Sequence, residues 1–189
     1  QAIMGRLSLG FGLFQEPELA WFKVPYPYGE WQYSGEQWQS VPGSSAALLL
    51  IGKTWRVFPH APLAPIAEQI VEFQPDTVQA RYGRAILPGA RARFTIRFWN
   101  LEEQELQRLI WCVALEPGLA HKMGNNRYLG FGSLRLHILP DSFLIDWAKR
   151  YAGDPEENWR VPIQVDQWIE PGVIYHLAAL RRALNAEQL

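Results

Sequence analysis

Between residues 91 and 98 the chain alternates without a break. Arg91, Arg93, Thr95 and Arg97 fall on one parity, and Ala92, Phe94, Ile96 and Phe98 on the other. Successive side chains of a strand point to opposite faces, so this stretch reads as a strand with one apolar and one basic face. Asn100 follows as a helix N-cap, with Glu103 three residues later in capping-box position. Leu106, Leu109, Ile110 and Val113 then recur at helical spacing until Pro117-Gly118. Past a loop, Leu134, Leu136 and Ile138 alternate with Arg135 and His137, which predicts a second strand with a basic face. Strand, helix, loop, strand is half of a split β–α–β unit. The expected fold class is therefore α+β, with a ferredoxin-like sheet packed on its helix by one face and open on the other.

The remaining chain is read around that unit. Residues 3–11 alternate well enough for a strand, whereas 16–45 are rich in Pro, Gly, Trp and Tyr and show no period. The latter is expected to be a long irregular insertion. Residues 46–57 read as a buried strand with a turn at Gly52, and 68–73 and 77–82 as short strands around Gln74-Pro75-Asp76. A short helix is expected over 143–151, then an acidic loop, then a helix over about 173–184. The organisation that follows is one domain over 1–147 and a short helical C-terminal extension over 148–189.

Composition closes off several classes. With 48% hydrophobic and 20% charged residues in 189, the chain buries a core and is not disordered. The longest apolar run, 46–51, is far shorter than the roughly 20 residues that span a bilayer. Cys112 is the single cysteine, which excludes an internal disulfide framework and points to a reducing compartment; it is read as core. With no signal-peptide pattern at its start, the chain is expected to be soluble and cytoplasmic, with no membrane partner. Because it opens directly on a strand pattern at Gln1, a fragment or one module of a longer polypeptide is also expected.

The net charge of −1 conceals a segregation. No acid lies between Asp76 and Glu102, where Arg81, Arg84, Arg91, Arg93 and Arg97 all fall. None lies between Glu116 and Asp141, where His121, Lys122, Arg127, Arg135 and His137 occur. Arginine, the cation that forks onto phosphate and stacks on flat rings, outnumbers lysine 14 to 4. Nine Trp and seven Tyr add stacking surface. This asymmetry points to an anionic partner.

The loop from His121 to Ser133 concentrates the candidate chemistry. Gly124, Gly130 and Gly132 let the backbone adopt positive φ and approach a ligand closely. Exposed N–H groups there, with Lys122, Arg127 and Ser133 beside them, could cradle phosphates. The alternative is a tight turn that shapes the fold and binds nothing. Because Gly130-Phe131-Gly132 precedes a strand rather than a helix, the dinucleotide-binding fingerprint does not apply. Histidines at 60, 121, 137 and 176 include no close pair at metal-ligand spacing, so no metal or other cofactor is expected. Ser44, Ser45 and Ser133 have no apparent base partner, and Asp76 and Asp141 read as turn or cap residues.

The segments 93–101, His121-Lys122-Met123-Gly124 and Leu129-Gly130-Phe131-Gly132-Ser133-Leu134 resemble the C-terminal half of RAMP proteins, the repeat-associated mysterious proteins of CRISPR systems. The likeness is to the guide-RNA-binding backbone subunits of type III effectors. Gly5-Arg6-Leu7-Ser8-Leu9 and Gly52-Lys53-Thr54-Trp55 resemble two further family pieces, and the match extends over about 1–147. The resemblance implies an RRM-like fold whose partners are guide RNA, complementary target RNA and other effector subunits. Lys122, Gly124, Asn125, Asn126, Arg127, Gly130, Gly132, Ser133 and His121 would then lie at the RNA, with Arg6, Lys53, Arg93 and Arg97 lining the same surface. The family's first strand and helix are missing before Gln1, and no residue matches its metal-dependent nuclease loop, so no catalytic residue is carried over. The aromatic stretch 21–38 would either enter between guide and target bases or dock a neighbouring subunit, or else be an insertion ordered only by its surroundings. A rival reading is a metal-independent endoribonuclease that processes guide precursor, with His121 as general acid or base. A third is a ferredoxin-like interaction domain without nucleic acid, which would need acidic partners for its arginines.

Overall fold

The computed structural model describes residues 5–25, 30–34, 37–41, 58, 60–73, 80–170, 172–187 and 189. The architecture is mixed α+β, with small antiparallel sheets and several short helices. Lys53, the strand expected over 46–57 and the turn at 74–76 lie outside the described residues.

A long antiparallel ribbon organises the first half of the chain. Strand β1 (Leu7–Leu9) pairs with β9 (Ile96–Phe98), β2 (Leu13–Phe14) with β8 (Ala92–Arg93), and β3 (Leu19–Pro25) with β7 (Ala80–Ile86). The expected strand over 91–98 is thus two short strands. Leu9 faces Ile96 while Leu13 faces Arg93, so the first strand carries one residue more than its partner between them, a one-residue bulge. Pairing is back in the original register where Leu87 N–H donates to the Glu18 carbonyl, because the Pro88-Gly89 bend places an extra residue on the other strand. The alternation survives the bulge: Phe94, Ile96 and Phe98 are half-buried, and Arg91, Arg93, Thr95 and Arg97 are exposed.

Strand β3 is also bordered on its other side by β6 (Glu68–Ile70), giving a three-stranded sheet in the order β6-β3-β7. It is followed by the hairpin of β4 (Glu30–Ser34) and β5 (Gln37–Val41). The stretch 16–45, read as irregular, therefore contains the central strand of the largest sheet. Its mixed Pro, Gly and aromatic content hid the Phe22, Val24 parity, and both of these side chains are buried.

Helix α1 (Glu103–Ala114) starts two residues later than expected. Glu102 is its N-cap, and the Glu105 carboxylate accepts from the Glu102 N–H at 2.9 Å. Asn100 instead turns the chain out of β9 with φ +52°, a conformation asparagine tolerates. The buried stripe is Gln107, Ile110 and Trp111, rotated from the expected one. The cause lies downstream. Trp111, Leu115 and Leu119 form a cluster with Ile169, Ile174, Leu177, Leu180 and Leu184, and Gln107 Oε1 accepts from the Glu170 N–H. Cys112 lies on the opposite side and is exposed, which corrects its assignment to the core.

The second basic strand stops early. Strand β10 (His121–Lys122) pairs with β11 (Ser133–Leu134), and 135–139 continue outside any ladder, with Arg135 and His137 still exposed. Residues 143–151 are not one helix. Strand β12 (Phe143–Ile145) precedes helix α2 (Trp147–Ala152), because Asp146 caps the helix by accepting from the Lys149 N–H. A turn of helix α3 (Glu156–Trp159) leads into β13 (Arg160–Pro162), which pairs with β12. After helix α4 (Val165–Trp168), α5 (Leu177–Leu184) packs on α1. Ala120 N–H donates to the Leu184 carbonyl and Ala186 N–H to that of Gly118, so the end of the chain holds the entry to the glycine-rich loop. Among the described residues no helix is long and apolar enough to cross a membrane.

Candidate nucleic-acid interface

The loop between β10 and β11 is anchored from beneath. Its one-turn 3₁₀ segment (Arg127–Leu129) drives Leu129 to 0% exposure among Phe22, Val24, Ala64 and Ala67. Ala64 N–H donates to the Leu129 carbonyl at 2.9 Å, and Phe131 meets Phe22 edge to face with centroids 5.1 Å apart. The loop is thereby seated on the β6-β3-β7 sheet.

Its three glycines do different work. A Cβ on Gly132 would overlap the Met123 carbonyl oxygen, and one on Gly130 would overlap that of Pro62. Both close approaches are to the protein's own backbone. Gly124, with φ +83°, has no atom within 4 Å of its Cβ position, and Met123, Gly124 and Asn125 are exposed. Met123 N–H donates to the Gly132 carbonyl, so the backbone open to a ligand is the tip at 124–125. Asn126, half-buried with φ +55°, starts the 3₁₀ turn.

Lys122 and Ser133, at the two ends of the loop, turn inwards. Lys122 Nζ donates to Ser133 Oγ at 2.9 Å and to the Gly130 carbonyl at 3.3 Å. His60 Nδ1 is 3.0 Å from Ser133 Oγ, and its Nε2 is 2.9 Å from the Ala120 carbonyl. That carbonyl can only accept, so Nε2 carries the proton and Nδ1 accepts from the serine hydroxyl. Burial pushes Lys122 down to about 8 and lowers His60 as well, which keeps this imidazole neutral. Ser133, read as lacking a base partner, thus has one in His60, and it accepts from Lys122 as well. His60 was the missed member, because nothing local in the sequence ties it to a segment sixty residues away.

The other expected RNA contacts divide. Arg6 is bound to the Glu105 carboxylate and to the Asn100 carbonyl, so it fastens β1 to α1. Arg93 is paired with Asp141, which is not a turn residue alone. The Arg127 guanidinium covers the Phe58 ring at 4.7 Å. Arg91, Arg97 and Arg135 are exposed and make no ion pair among the described residues.

Cross-strand pairing brings Arg84, from the acid-free run, together with Lys23, which the sequence did not single out. On the sheet face opposite Phe22 and Val24, Trp21 faces Arg84 and Lys23 faces Tyr82. Arg84 lies 5.9 Å from the Trp21 ring centre, as does Lys23 from that of Tyr82, and Phe73 contacts both rings. Interleaved cations and rings of this kind suit a nucleic-acid strand.

His121 Nε2 donates to the Val113 carbonyl at 3.1 Å. It lines a cleft of about 250 Å³ at the end of α1, together with Arg135, His137, Glu116 and Asp166. Glu116 is held below the ordinary carboxylate range, chiefly by its bond to Arg181. Among the described residues no three His, Cys, Asp or Glu side chains converge to hold a metal ion. No family model, curated protein or solved structure matches this chain.

Proposed function

We propose that the chain is a guide-RNA-binding backbone subunit of a type III CRISPR ribonucleoprotein, which lays the guide along a surface where target RNA pairs with it. The observation that carries this reading is the isolation of Arg91, Arg97 and Arg135, which are exposed and have no carboxylate partner among the described residues. A generic interaction domain would need such partners, and of Arg91, Arg93, Arg97 and Arg135 only Arg93 has one among the described residues. The accessible backbone at 124–125 and the Lys23, Arg84 and aromatic face of the three-stranded sheet support the same reading. The fold that goes with it is ferredoxin-like and RRM-like. The succession β9, α1, β10 follows the chain order of such a unit, with β9 paired to β1 and β10 to β11.

Affinity would then come from phosphate neutralisation and fall steeply with salt, while base pairing by the guide supplies sequence specificity. The test is purification from the native host without nuclease. A uniform short RNA of CRISPR repeat sequence eluting with other effector subunits is the expected result, and an RNA-free monomer refutes the proposal.

A second reading, the metal-independent endoribonuclease, is favoured by one observation: His121, His137 and Arg135 share a cleft. Imidazoles near a cation are the equipment for proton transfer in RNA cleavage. Substituting His121→Ala separates the readings: an enzyme loses cleavage and keeps binding, whereas a backbone subunit has no cleavage to lose.

A further inference from the structure

The segment 143–160 assembles six planar groups into a continuous ladder. Tyr151 stacks on Trp147 with centroids 5.7 Å apart and planes inclined by 27°. The Arg150 guanidinium lies between Trp147 at 5.1 Å and Trp159 at 4.9 Å. That of Arg160 lies between Trp159 at 5.5 Å and Phe143 at 4.3 Å. The local fold dictates this order. Trp147, Arg150 and Tyr151 share one face of α2 at spacings of three and four, and the β12–β13 pairing brings residue 160 across from 145.

The ladder is not core. Trp147 is 52% and Tyr151 83% exposed. Arg160 is paired with Glu156 and Lys149 with Asp146, but Arg150 is exposed and has no carboxylate partner among the described residues. Two indoles lie within about 5 Å of its carbon, while its N–H donors have no anionic acceptor among the described residues. A guanidinium in this state offers a fork to a phosphate, and the end ring of the ladder offers a flat surface to a base.

We propose that this ladder is a second contact for single-stranded RNA, with a base stacked on Tyr151 and a backbone phosphate on Arg150. It rests on the RNA-binding reading above and adds a site separate from the glycine-rich loop. Asp154 and Glu157 in the same segment oppose a purely electrostatic contact. Stacking therefore carries the binding here, and it resists salt in a way that phosphate contacts do not.

The experiment uses the full chain and a short oligouridylate carrying 4-thiouridine, compared with an abasic chain of equal length. Photocrosslinks are mapped by mass spectrometry, and affinity is measured at low and high salt. The variant pair Trp147→Leu and Tyr151→Ser alters exposed rings only. Expected are crosslinks within 147–160 and a loss of about tenfold in oligouridylate affinity at high salt, with the abasic chain unaffected. If the wild-type chain binds RNA, crosslinks only within 121–133 and is indifferent to the variants, the ladder is overturned while RNA binding stands. If the wild-type chain binds no RNA, both are overturned; loss of a protein subunit from the variants would then assign the ladder to a protein partner.

Discussion

Lys122 Nζ lies 2.9 Å from Ser133 Oγ, which joins the two ends of the glycine-rich loop through a side-chain bond that continues to His60. The cation that the sequence offered to phosphate is spent on the loop's own closure. Lys122 Nζ also reaches the Gly130 carbonyl, and the last acceptor of the series is the Ala120 carbonyl that opens the loop.

This arrangement has a pH signature. Lys122 titrates near 8 in the fold and near 10.5 when unfolded, so between these values the unfolded chain binds the extra proton. Stability should therefore rise with pH over that window. In Lys122→Met the rise should disappear from denaturant midpoints measured across it. Ser133→Ala, which leaves a buried imidazole nitrogen without its donor, should cost about 1–3 kcal/mol at neutral pH.

The glycines should separate by role. Gly132→Ala and Gly130→Ala place a methyl against backbone and should displace the loop or unfold the chain. Gly124→Ala meets no atom and should cost only about 1 kcal/mol for its positive φ. Thermal melts of the three variants check the order, and RNA affinity lost by the Gly124 variant alone would mark the tip as the contact.

Arg97 and Arg6 carry the same charge and should behave oppositely. Arg97→Ala should leave stability unchanged and reduce the salt dependence of RNA binding by about one unit of slope. Arg6→Ala should lower stability, because it frees β1 from α1, and leave the slope intact. Titrations with one RNA at several salt concentrations distinguish them.

The same ion pair governs acid sensitivity. The bond from Arg6, aided by the Glu102 N–H, holds the Glu105 carboxyl at about 2. Its stabilising effect is complete above the ordinary value of 4.5 and is lost as pH falls from there towards 2. Glu105→Gln should be less stable than the parent at neutral pH and show a flatter decline over that acid range, as read by denaturant titration.

Local pattern revealed the elements whose causes are local. The parity of 91–98 and the helical spacing before Pro117 both appear in the structure because burial imposes those periods. The misplacements have distant causes. Asn100 lost its cap role to a Glu102–Glu105 exchange, and Trp111 turned inward because Leu177, Leu180 and Leu184 pack there. The central strand containing Phe22 was hidden by its Pro and Gly neighbours. The His60–Ser133 bond and the Trp21–Arg84 pairing join residues more than sixty positions apart, beyond the reach of any window.

The bulge between Gly10 and Leu13 and its reversal at Pro88-Gly89 act as a vernier. Only the middle of the ribbon is displaced, so both ends remain in phase. Phe14 therefore keeps to the apolar side and Phe22 is still aimed at Leu129. Deleting one residue from either side alone would not shorten the ribbon so much as invert it beyond that point. The interior anchors would be handed to solvent and the cations to the core, whereas matched deletions from both sides would leave the molecule nearly as it is.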